Sequence, residues 1–234
     1  MSIVNCFKEY IVNTKTWVIF GAVCVALLGG LIALSRQGAI SVDDVDQTKV
    51  LAASERSGNI ADHVYGKADS KVVLIEYGDF QCPGCASAAP NLKALSEEFK
   101  DDIAFVFRNN PLPTIHANAR AAAAAAEAAG LQGKYWEMHD LLYAQQTTWQ
   151  GIAIDKRTDA FVNYAQQVGV TDIEKFKTDM GSDAVGSKIN FDLALGKKAR
   201  VTGTPTILLN NEKIESDVWN DQAKFKAKIE EALK

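Results

Sequence analysis

Val72 to Tyr77 reads VVLIEY, apolar on both faces for most of its length, and Cys82-Pro83-Gly84-Cys85 follows closely. A short run that is apolar on both sides suits a parallel strand covered by helices above and below. Gly78 and Asp79 end it. A helix is expected from Cys82 to about Phe99, and Ile103 to Phe107 reads as a second buried strand. Strand, helix and strand in so short a stretch make a βαβ unit. This fixes the class as α/β and places the cysteine pair where a strand hands over to a helix.

The rest of the pattern extends that unit. Residues 116–198 read as an α-helical insertion. Ala121 to Ala129 is nearly all alanine and meets Gly130, a C-cap signal. Helices are also expected over Tyr135–Gln145, Asp159–Val168 and Asp183–Lys198, with one opened by a Thr171-x-x-Glu174 capping box. Thr206 to Leu209 returns to β pattern, Asn210-Asn211 is a turn signal, and Lys213-Ile214 closes a hairpin. An amphipathic helix over Asp221–Leu233 ends the chain. The plan is βαβ, insertion, ββα.

Ahead of it stands Trp17 to Leu34, eighteen residues without a charge. At helical rise that spans roughly 27 Å, close to the hydrocarbon thickness of a bilayer. We expect a cytosolic tail over 1–16, a single transmembrane anchor over 17–34, a polar linker over 35–60 and a folded domain over 61–234. Lys8 and Lys15 before the run, and Asp43, Asp44 and Asp46 after it, put the domain outside the cell membrane. A cleaved signal peptide ending near Ala33-Leu34-Ser35 is the competing expectation. Cys6 and Cys24 fall in the tail and the anchor, which leaves Cys82 and Cys85 alone in the exported part.

Of the 234 residues, 23% are charged and 47% hydrophobic, which excludes global disorder. The net charge is −4 and no basic block exists, which argues against nucleic-acid binding. Four cysteines are too few for a disulfide scaffold. At a helix start, free N–H groups and the positive dipole end stabilise a thiolate, so Cys82 is expected to be the reactive sulfur. Cys85, one turn further in, is the resolving one. Half of a zinc site and a static disulfide remain alternatives. Zinc needs four ligands, and only His63, His116 and His139 are on offer, scattered through the exported part. Glu76, near the strand end, would lie beneath the pair and could carry the proton of Cys85; a strand-end charge reaching water is the alternative. Pro205, after Gly203-Thr204, marks a strand start or a special turn. His116, His139, Tyr135, Trp136, Trp149, Phe161 and Tyr164 are expected to pack in the core.

The run HVYGKADSKVVLIEYGDFQCPGC from His63 to Cys85 resembles the DsbA-type thiol–disulfide oxidoreductases of thioredoxin fold, in their membrane-anchored subgroup. So do Asn110-Pro111-Leu112 with His116, and Gly203-Thr204-Pro205-Thr206. The resemblance covers about residues 60–234. It implies a thioredoxin fold with a helical insertion, a cis Pro205 facing the cysteines, and strand-like hydrogen bonds from Thr204 to a bound peptide. It also implies a buried Glu76 and a helix kinked at Pro90. The implied activity is disulfide exchange with exported proteins, without a bound cofactor or metal. Reoxidation would fall to a membrane partner of the DsbB or vitamin-K-epoxide-reductase type. The dipeptide Pro83-Gly84 departs from the Pro-His of the most oxidising relatives and leaves the direction open. A reductase or isomerase on the same site is the first alternative, and a thioredoxin-fold holdase without redox turnover the second.

Overall fold

The computed structural model describes residues 14–37 and 40–234, with side chains from 17–30 and 40–234. Two compact units result, residues 1–40 and 41–234. In the first, α1 (Thr14–Gln37) takes in the whole apolar run. Trp17, Val18, Ile19, Phe20, Val25, Leu27 and Leu28 are exposed on it. Among the described residues no helix is long and apolar enough to cross a membrane. Cys6 and the rest of the expected tail up to residue 13 lie outside the described residues.

The second unit is built on a five-stranded sheet ordered β1-β3-β2-β4-β5. The strands are β1 (Val64–Gly66), β2 (Val72–Gly78), β3 (Ile103–Asn109), β4 (Thr206–Leu209) and β5 (Glu212–Ile214). β2 and β3 pair in parallel with Glu76 opposite Phe107; the other pairs are antiparallel. Every residue of β2 and β3 is buried, as expected of strands covered on both faces. Asn210 and Asn211 turn β4 into β5 at φ of 48° and 69°, values that Asn tolerates better than most residues.

One core lies on each side of the sheet. On one side α2 (Pro83–Glu98) and, after the short α9 (Ser216–Trp219), α10 (Gln222–Ala232) bring Leu92, Leu95, Phe225 and Ile229 against Leu74, Phe105 and Ile207. The helix α2 runs on through Pro90. On the other side sits the insertion: α3 (Ala119–Gly130), α4 (Tyr135–Ala144), α5 (Gln146–Trp149), α6 (Arg157–Gln167), α7 (Ile173–Met180) and α8 (Asp183–Lys198). The alanines of α3 are its hub, because small side chains let the other helices approach closely. Tyr135, Trp149, Phe161 and Tyr164 are buried in this core, as their spacing suggested. Gly130 stays inside α3, and Leu131 is the cap. A Cβ on Gly130 would meet the His63 ring at 2.4 Å, so this glycine is needed for close approach rather than for capping. The Thr171–Glu174 capping box does not form: Asp172, one residue on, accepts from the Lys175 N–H at 2.8 Å and caps α7.

The linker expected over 35–60 is bound to the domain from residue 41 onward. Lys198 donates to the carbonyls of Val42, Asp43 and Val45 at 2.7–2.9 Å. Arg108 donates to those of Gln47 and Lys49. Val42, Leu51, Arg56 and Ile60 are buried. Within the expected linker, residues 42–49 form a strap held through backbone carbonyls. Beneath it lies a buried ion cluster. Arg56 pairs with Asp62 and Asp192, Arg108 with Asp62 at 3.0 Å, and Lys188 with Asp192 at 2.6 Å and Glu127 at 3.3 Å. Burial works against ionising Asp62 and Glu127. Arg108 and Arg56 reverse this at Asp62, and Lys188 with His63 holds Glu127 down to about 2.

Candidate active site

Cys82 is the N-cap of α2 and Pro83 its first residue, where a missing N–H costs nothing. The two cysteines are free thiols. Cys82 is half-buried, with Sγ 3.3 Å from the carbonyl oxygen of Thr204. Cys85 is fully buried, and its Sγ accepts from the Asp79 N–H at 3.5 Å. The Thr204–Pro205 peptide is cis and packs against the pair. A Cβ on Gly84 would stand 3.2 Å from Pro205 Cδ and 3.6 Å from Cys82 Sγ, so glycine gives this loop the closest fit.

The two sulfurs are electrostatically unlike. The Cys82 thiol is brought down to about 5, first by the Cys85 thiol hydrogen-bonding to it, then by the Thr204 side chain and the N–H groups of Cys85 and Gly84, against the effect of burial. Thr204 Oγ1 is buried without another partner, so its proton is free to turn to an ionised sulfur. Cys85 is pushed well above the usual thiol range by burial, by Cys82 and by Glu76. One sulfur is poised as a thiolate, the other as a proton holder.

Glu76 lies wholly buried beneath them. Its carboxyl oxygens have no hydrogen-bond partner of ordinary geometry, and the Cys85 thiol is the group within its reach. Burial raises its carboxyl to about 8, Cys82 adds to the rise, and Cys85 partly offsets it. The strand-end alternative, a charge reaching water, does not hold. Among the described residues no three His, Cys, Asp or Glu side chains come together as a metal-holding group.

Other residues shape the turn and were not foreseen. Gln146 Nε2 donates to the carbonyls of Phe80 at 2.8 Å and Cys82 at 3.0 Å. Gln81 Oε1 accepts from the Asn118 N–H, and its Nε2 donates to the Gln150 carbonyl. Both tie the cysteine turn to the insertion. His116, expected in the core, instead bonds Asp79. His139 is buried among Phe80, Phe107 and Trp136. The one clue in the sequence was Asp79 itself, an acceptor for free N–H groups just after a strand end.

An acidic half-exposed thiol, a buried thiol one turn on and a cis proline beside them define a thiol–disulfide exchange site on a thioredoxin scaffold. A thioredoxin family model matches residues 58–231, and the chain belongs to that family. Its structural neighbours are DsbA-type thiol–disulfide oxidoreductases. Oxidised BdbD from Bacillus subtilis superposes with a TM-score of 0.64 at 23% identity, over 79% of this chain and 98% of that one. A thioredoxin-like oxidoreductase from Silicibacter pomeroyi DSS-3 gives 0.59 at 26% identity, over 73% of this chain and 91% of its own. MdbA, a thiol–disulfide oxidoreductase from Corynebacterium diphtheriae, gives 0.59 at 21%, over 83% and 100%. In sequence, the Na(+)/H(+) antiporter NhaA 1 of Salinispora arenicola is 37% identical over 152 residues, 65% of this chain. The chain spans only 22% of that antiporter's length.

Proposed function

We propose that this protein introduces disulfides into exported proteins through the Cys82–Cys85 couple. The observation that carries it is the half-exposed Cys82 sulfur held down to about 5 at the start of α2. A substrate thiolate attacks Cys82 Sγ of the disulfide form. The S–S bond breaks, and Cys85 leaves with the electron pair and takes a proton, for which Glu76 is the nearby carrier. A second substrate thiolate then attacks the substrate sulfur of the mixed disulfide and releases Cys82 as a thiolate. Two electrons pass from substrate to enzyme, and no cofactor takes part. The low pKa favours Cys82 as the leaving sulfur and the dithiol as the product, which is the oxidase direction. Thr204 and Pro205 would align the substrate strand beside Cys82.

The membrane placement is part of the same proposal. It is supported by the uncharged run of residues 17–34 inside one helix, and by acidic residues following it. Domain and substrates would then meet on the extracytoplasmic side of the cell membrane, and reoxidation would come from a membrane partner of the DsbB or vitamin-K-epoxide-reductase type.

Oxidised protein mixed with a reduced, unfolded substrate is expected to form disulfides in it, and Cys82→Ser to abolish this. Unchanged folding yield with Cys82→Ser would favour the holdase. Gly84 supports the reductase as a second reading, since it adds no imidazole to stabilise the thiolate. A glutathione equilibrium separates the directions: about −150 mV or higher marks an oxidase, and about −270 mV a reductase.

A further inference from the structure

The cysteine turn hangs on a side chain that takes no part in the exchange steps. The Asp79 carbonyl accepts from the Cys82 N–H at 3.0 Å, and the Asp79 N–H points at Cys85 Sγ at 3.5 Å. Its carboxylate is fully buried. Oδ1 accepts from the Gln81 N–H at 2.7 Å. Oδ2 accepts from the Leu112 N–H at 2.9 Å and from His116 Nδ1 at 2.8 Å. Both carboxylate oxygens act as acceptors here, so His116 Nδ1 is the donor in that bond. His116 is 16% exposed on its side chain and is the one donor of the three that belongs to a side chain. Cys82, Cys85, Glu76, Tyr143 and His139, whose ring packs on Phe80, are the other titratable groups around this turn among the described residues.

We propose that His116 is a positioning residue for the cysteine pair: acting through Asp79, it fixes the turn and offsets the carboxylate's field at the two sulfurs. Loops around residues 79 and 116 are thereby joined, and the insertion takes part in setting the chemistry of the turn. Without the Nδ1–H, a buried carboxylate on the same turn as the cysteines is compensated less. Its charge then opposes a second negative charge on Cys82. The dithiol form is favoured less, and the oxidised protein becomes a weaker oxidant. This inference rests on reading the pair as a redox couple, but its test addresses the sulfur directly.

The experiment follows the ultraviolet absorbance of the Cys82 thiolate against pH, and the glutathione equilibrium, in the full chain. His116→Ala is expected to raise the thiolate transition by about one pH unit and lower the equilibrium constant for oxidation of glutathione about tenfold. His116→Gln carries its amide at the Nε2 position, leaves Asp79 without its side-chain donor and gives the same shift; it decides the matter if the alanine variant fails to fold. His116→Asn places an N–H where Nδ1 stood and brings both readings back towards the wild type. Alanine and glutamine variants that titrate like the wild type would overturn the proposal. So would an asparagine variant shifted as far as alanine. A shifted thiolate in His116→Ala, with no disulfide transfer by the wild type, would sink the proposed function and leave this inference standing.

Discussion

The acidity of Cys82 has a thermodynamic consequence that can be read without any substrate. Its thiol is near 5 in the folded reduced protein, against an ordinary value of 9.0. A depressed acid stabilises the folded state above its unfolded value, and that stability is lost as pH falls through the folded one. Between about pH 4 and pH 7 the shift taken whole is worth about 3 kcal/mol, and solvent screening of this half-exposed sulfur reduces it to about 1–2 kcal/mol in favour of the reduced form. The oxidised form has no Cys82 thiol and gains nothing. Glu76 also titrates with folding; burial, the main cause of its shift, is common to both forms and cancels in their difference, while the smaller and mutually opposed effects of Cys85 and Cys82 belong to the reduced form alone. Closure of the short Cys82–Cys85 loop does not depend on pH. The measured quantity is thus the gap in stability, reduced minus oxidised, by urea or thermal unfolding across pH. It is expected to widen by about 1–2 kcal/mol over that range, or about 2–8 °C in Tm for a domain of this size. A gap that stays constant with pH would refute the thiolate assignment, whatever its absolute size.

Glu76→Gln removes a carboxyl whose raised value makes its stability contribution present at low pH and lost as pH rises towards 8. The variant is expected to match the wild type near pH 4 and to exceed it by about 3 kcal/mol near pH 7, in unfolding curves of the oxidised proteins. Its release of Cys85 in stopped-flow exchange is expected to be slower. Thr204→Val takes away a hydroxyl available to the thiolate and should raise the Cys82 transition by about one to two pH units, followed by thiolate absorbance. Lys188→Ala leaves Glu127 and Asp192 short of their buried cation and is expected to cost about 3–5 kcal/mol in urea unfolding, with the Cys82 titration unchanged.

What could be read in the sequence was local or periodic. β2, β3 and the helices of the insertion announce themselves by apolar spacing, and the cysteine pair by its position between strand and helix. Glu76 was legible because it shares β2 with the residues that aim it under the pair. β1 was missed because it has three residues and none is fully buried. The anchoring of the strap over 41–60 was not legible because its anchors are carbonyls, which every residue carries, held by Lys198 and Arg108 from far along the chain. The ion cluster joins Arg56 to Asp192 across 136 positions, and no spacing rule reaches that far. His116 finds Asp79 across 37 positions, so its helix-like setting suggested packing instead.

The ion cluster also bears on Glu76 in another way. Five carboxylates in this domain are fully shielded from water: Asp62, Glu127, Asp192, Asp79, which is met by His116 and two backbone N–H groups, and Glu76. The first three each meet at least one of Arg56, Arg108 and Lys188, and three positive charges stand against three negative ones. That is how a fold tolerates buried charge. Glu76 meets no cation and has no ordinary hydrogen-bond partner, so its environment favours the protonated form near neutral pH. A carboxyl kept for stability alone would be better replaced by an apolar side chain of similar size. Its setting makes sense for a group that must hold and yield a proton next to a sulfur. Loss of exchange kinetics in Glu76→Gln, combined with a gain in stability near neutral pH, is the pair of results that separates this role from a structural one.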